Sequence, residues 1–298
     1  MSGLQHRVDE NKRAQGAGDA RCADGSERGW PARLALTIGK TGRRGTRLLN
    51  SRHCGPLCVQ KAFYPEGPSL PHFYLLHPPG GIVTGDRLDI ELNLEAGSMA
   101  LFTTPGAARV YRARADDNGL QSQQVRLRLA DRACAEWLPG ETILYPGARG
   151  RGTTRVELAL GSRLMGWEIN CIGLPASGRP FDAGVVTQRF EVFRAGRPLF
   201  IDSLHLDTAG ADVRNGGAGL AGRTVSALFV SGPFAPADDA GALVERLRNI
   251  GAPNDALLGV TLVNGFIAVR YLGDCAWQAR EWFVRCWRLL RPAVLDRA

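Results

Sequence analysis

The chain has 298 residues, is 44% hydrophobic and carries a formal net charge of +8. That apolar content suffices for a real core and excludes global disorder. The charge comes almost wholly from arginine, since Lys12, Lys40 and Lys61 are the only lysines; it points to acidic partners, whether protein, membrane surface or nucleic acid, without choosing among them. Seven cysteines, at 22, 54, 58, 134, 171, 275 and 286, are odd in number and scattered. They lack the spacing of a secreted disulfide framework and read as reduced thiols. No stretch approaches the roughly 18 apolar residues of a membrane span, and no apolar leader opens the chain. The protein is therefore expected to be cytoplasmic.

In chain order, residues 1–28 mix charge, Gly and Ala with almost no large apolar group, and predict a disordered tail that cannot repay the entropy of ordering. From Trp30 the pattern changes. Residues 33–38 alternate as a strand, 40–47 (KTGRRGTR) form a basic hairpin tip or loop, and 57–64 is a further strand candidate. The stretch 72–112 holds three strand-like runs. The clearest sets Leu88, Ile90, Leu92 and Leu94 against Asp89, Glu91 and Asn93, the period of two that marks a half-buried strand. Before it, Pro78-Pro79-Gly80-Gly81 breaks the chain sharply, placing His77 and Asp86 at the mouths of turns.

Short strand patterns continue over 121–129, 134–138, 142–145, 153–160, 164–174, 185–194 and 199–206. Turn residues punctuate them and no helical pattern lies between them, which argues against βαβ units. The fold class is mainly β, antiparallel or coiled, and no fixed repeat period is visible. Residues 208–223 are glycine-rich, the expected boundary of a C-terminal part that begins near 224 within a single β-rich domain over 29–298. There, 239–250 reads as a helix, 257–263 and 266–272 as a hairpin turning at Asn264-Gly265, and Asp274 as the cap of a final helix that Pro292 stops. Ala279, Trp282, Phe283, Cys286, Trp287 and Leu290 share one face of it. Packing against a sheet is the plainer reading of that stripe; a partner-binding helix is the other.

The blocks HPPGGIVTGD, TTPGAARVYR, AEWLPGETILY and WEINCIGLPASGRPF, with GPLCVQKAFYPEG at 55–67 and VRYLG at 269–273, occur in an order that resembles the UreD (UreH) family of urease accessory proteins. The resemblance runs from about Trp30 to the C-terminus. It departs at Thr84, where a second glycine is usual, at Arg109-Val110 and at Gly140. It implies an elongated, layered, β-helix-like fold. It also implies a non-enzymatic scaffold and nickel-delivery chaperone acting with UreF, the GTPase UreG and the urease structural subunits, with Ni2+ in transit through a polar, partly acidic internal passage and no tightly bound cofactor.

The residues themselves signal no enzyme: G-x-S-x-G, Walker A, H-E-x-x-H and a strand-borne G-x-G-x-x-G are all missing from the sequence. Asp202, Ser203, His205 and Asp207 invite a triad, but neighbours on a strand do not converge. His53, Cys54 and Cys58 invite a zinc site, yet along a strand the two sulfurs sit too far apart for one tetrahedral ion. A nucleic-acid reading would use Arg149, Arg151 and the 40–47 tip on phosphates, and an orphan enzyme on a β scaffold is the third class. A courier that must release nickel should favour carboxylate over imidazole and thiolate. Asp86, Glu136, Glu141 and Glu168 are the expected wall of the passage, with His77 and Cys171 as helpers. Glu168, flanked by Trp167 and Ile169, needs a cation, an arginine or water if both strand faces are buried.

Overall fold

The computed structural model of the protein describes residues 29–42, 45–209, 213–235, 239–251 and 255–295. The expected tail lies outside them. β1 (Pro31–Lys40) and β2 (Thr46–Cys54) form an antiparallel hairpin around the basic tip, and the short β3 (Cys58–Val59) pairs with β4 (His72–Leu76). The sequence reading missed β2, whose exposure follows no clean alternation.

The chain then coils. β5 (Arg87–Leu94), β6 (Met99–Thr103) and β7 (Ala108–Val110) make one turn, and β8 (Gln121–Leu129), β9 (Cys134–Leu138) and β10 (Thr142–Leu144) make the next. β11 (Ala148–Leu158) and β12 (Arg163–Ile172) follow, and β13 (Gly184–Arg194) pairs antiparallel with β14 (Arg197–Asp207). Successive turns stack in parallel, β5 on β8 on β11 on β13 and β4 on β6 on β9 on β12. Met99 faces Cys134 and Cys134 faces Arg163, so the first turn is longer than the second by the loop between Val110 and Gln121. That inequality hides the coil from a search for a fixed period.

β15 (Val225–Gly232) rejoins the sheet beside β12, α1 (Ala240–Arg248) packs on β16 (Leu257–Val263), which with β17 (Phe266–Gly273) extends the sheet, and α2 (Ala276–Leu295) lies over it. The result is a seven-stranded sheet, a ten-stranded sheet and a helical layer. Between the sheets, the period-two pattern builds rows of apolar side chains from strand to strand. Leu36, Leu92, Leu127, Val156, Val192 and Phe200 form one such row across the seven-stranded sheet, all buried. Each large side chain there contributes about 1.5–3 kcal/mol by leaving water. A second core, around Trp167, Phe229, Trp282 and Phe283, joins the ten-stranded sheet to α2.

The C-terminal stripe therefore packs inward: Ala279, Trp282, Phe283, Cys286 and Leu290 are buried against the sheet. Two expectations about α2 need correction. Asp274 does not cap it, because its carboxylate accepts from the Thr224 amide (3.0 Å) and from Arg223 (2.7 Å). Nor does Pro292 end it; the helix runs on to Leu295, and the Ala293 carbonyl accepts from Arg163. Among the described residues, no helix is long and apolar enough to cross a membrane.

Candidate functional site

Two adjoining cavities lie in the body. The larger, about 380 Å³, runs between the sheets from the exposed Pro105-Gly106 turn past His77, Arg109, Gln123 and Thr154. The smaller, about 320 Å³, runs from the half-buried Gly219 and the exposed Leu257 past Asp202 and Arg270. Glu168, Asn170 and Gln188 line both. Alternation along β12 explains two of these three: Gly166, Glu168 and Asn170 turn toward the seven-stranded sheet, while Trp167 and Ile169 turn toward the helices. β13 brings Gln188 from the facing sheet, opposite Gly152 of β11.

Glu168 is the carboxylate of this shared wall. It has a hydrogen bond to Thr154 and no ion pair among the described residues. Burial is the main cause that pushes its pKa up to about 7, Asp202 adds to it, and the Thr154 bond opposes it. The Asp202 carboxylate is itself tied to Arg270 at 2.6 Å. Near neutral pH, Glu168 is thus partly protonated, and a divalent cation arriving beside it would compete with that proton.

The other candidate residues are placed differently. His77 lines the larger cavity; burial lowers its pKa, against the attraction of Asp86, so its imidazole is neutral and has a nitrogen lone pair to offer. Asp86 holds the turn together: its carboxylate accepts from the amides of Trp30 (3.0 Å) and Val83 (2.9 Å). Glu136 is fully buried in the helix-facing row between Leu101 and Met165. Trp287 donates to it at 2.6 Å and Arg291 at 3.0 Å. Arg291 also grips Glu66 at 2.5 and 2.7 Å, and His72 reaches Glu66 at 2.9 Å. Hydrogen bonding from Arg291 is the main reason that the Glu66 carboxyl lies below its usual range. Glu141 is paired with Arg280. Burial, reinforced by the nearby Glu141 charge, pushes the Cys171 thiol up to about 12, so it is protonated and a poor ligand. Asp86, Glu136, Glu141 and Cys171 line neither cavity.

The rejected sites fare as their geometry demands. His205 bonds Thr187 at 2.9 Å, and Asp202 turns away to Arg270. Cys54 is disulfide-bonded, against the expectation of reduced thiols, while Cys58 is a free thiol. Among the described residues, no three His, Cys, Asp or Glu side chains gather closely enough to hold a metal ion. Arg149 is held by Asn118 at 3.0 Å. Sequence reasoning missed Gln188 and Thr154; the alternation of β13 puts Gln188 inward with Val186 and Phe190, but a neutral amide in that pattern draws no notice.

A coiled double sheet with two adjoining cavities in its body and helices packed on one face defines a β-scaffold protein. The family model described as UreD urease accessory protein matches residues 31–298, and the chain belongs to that family. Among relatives each called urease accessory protein UreD, one from Marinomonas sp. is 44% identical over 276 residues, covering 90% of this chain and 87% of its own. One from Marinobacter nauticus is 42% identical over 278 residues, covering 90% of each chain. One from Azoarcus sp. is 39% identical over 282 residues, covering 94% and 95%. The protein serves urease maturation and is not itself an enzyme.

Proposed function

We propose that this protein joins UreF, UreG and the urease structural subunits in the cytoplasm, and that Ni2+ travels through its two adjoining cavities toward the urease centre. The observation that carries this reading is Glu168, a half-buried, largely desolvated carboxylate on the wall common to both cavities, with no ion pair among the described residues. A buried charge of that kind is costly unless it has a cationic partner. A partner that comes and goes is what a courier requires, and an oxygen site releases nickel more readily than imidazole or thiolate would. His77 lies along the larger cavity, where a neutral imidazole is available to an arriving ion. Asp86, Glu136 and Glu141 then act on the passage indirectly, by fixing the turn and the helix that frame it.

The test is co-expression of the tagged chain with UreF, UreG and the urease subunits, followed by pull-down and by urease activation in nickel. Wild type is expected to co-purify and activate. Glu168→Gln is expected to co-purify equally and to activate at least about tenfold more slowly, the loss of about 1.4 kcal/mol. Full activation by Glu168→Gln would sink the passage reading. Failure of the folded wild-type chain to bind any of these partners would sink the complex.

A further inference from the structure

Glu168, Asn170 and Gln188 line both cavities, so these three side chains stand where the two adjoin, here called the neck. Gln188 approaches from β13, and its paired residue on β11 is Gly152. The approach is close. A Cβ placed on Gly152 would lie 1.8 Å from Gln188 Oε1 and 2.7 Å from its Cδ. The carboxamide therefore lies over the open face of Gly152, and a side chain placed there would have to displace this flexible group, which borders both cavities. Beyond the neck Asp202 is already neutralised by Arg270, so the neck is where a moving cation meets an unpaired carboxylate together with two amide groups.

We propose that Gln188 gates the passage: its carboxamide, resting on Gly152, sets the opening of the neck and offers an oxygen beside those of Glu168 and Asn170 to the divalent cation that passes. This rests on the passage reading above. Amide carbonyl and carboxylate oxygens suit an ion that must be handed on. The neutral Gln188 gives the neck a donor without adding a second buried charge.

The test uses the full chain co-expressed with its urease partners, with nickel-dependent activation rate and co-purification read together. Gly152→Ala is expected to slow activation about tenfold, because the displaced carboxamide narrows the neck. The double change Gly152→Ala/Gln188→Ala, which removes the displaced group, is expected to return to within about threefold of wild type. Gln188→Phe, which fills the neck from the other strand, is expected to slow activation without loss of co-purification, and it decides the matter if Gly152→Ala does not fold. A slow Gly152→Ala that the double change does not rescue, or a fast Gln188→Phe, overturns the gate; if Glu168→Gln is slow in the same assay, the passage stands without it. If Glu168→Gln activates normally, the passage itself is overturned, and the gate with it.

Discussion

At the scale of single residues, Glu136 and Glu168 differ in whether an arginine reaches them. Glu136 has no exposed surface, and α2 supplies Arg291 and Trp287 to it. Removing one partner of such a pair leaves an uncompensated buried charge. Arg291→Ala is therefore expected to destabilise the fold by about 3–5 kcal/mol, read by denaturant unfolding. Glu168 has no such partner, and its sign is opposite. Its pKa is raised from 4.5 to about 7 in the folded state, so the stability it contributes is present below pH 4.5 and lost as pH rises through 7. Glu168→Gln removes this dependence. The variant is expected to gain on wild type between pH 4.5 and 7 and to be the more stable by about 2–3 kcal/mol at pH 8; parallel stability curves for the two proteins across that range would contradict the assignment.

At the scale of elements, the strands follow local rules closely. The turn between β16 and β17 places Asn264 at φ 48° and Gly265 at φ 78°, the two left-handed positions that a two-residue hairpin needs. Gly265→Ala is expected to lower stability by about 1 kcal/mol, with the unfolding midpoint as its measure. Leu127 sits mid-row between Leu92 and Val156, and Leu127→Ala is expected to cost about 2–5 kcal/mol because parallel turns of a coil cannot collapse around one missing side chain. The ends of α2 were harder to place. Asp274 resembles a cap in sequence, yet Arg223 and Thr224 compete for its carboxylate from across the fold. Pro292 has no N–H to donate, but the helix continues for three residues because Val294 and Leu295 are buried against the second core. Tertiary burial outweighs the local penalty there.

At the scale of the whole molecule, the sequence by itself determined a mainly β chain with two C-terminal helices, the hairpin at Asn264-Gly265, the inward stripe of α2 and, through its ordered blocks, the family. These are properties of neighbours: alternation, helical spacing and turn chemistry act over a few residues and are visible in a line of text. It also placed Glu168 on a strand face apart from Trp167 and Ile169. Only the tertiary structure decided which acidic residues meet a cavity and which meet an arginine. The partners of Glu136 come from 151 and 155 residues away, and that of Glu141 from 139 residues away. Gln188 met Gly152 because β13 stacks on β11, and it shares a cavity wall with Glu168 and Asn170 because β12 faces both from the opposite sheet. Spacing along the chain carries no record of such contacts. They are fixed by how the unequal turns of the coil stack and by where the last helix comes to rest.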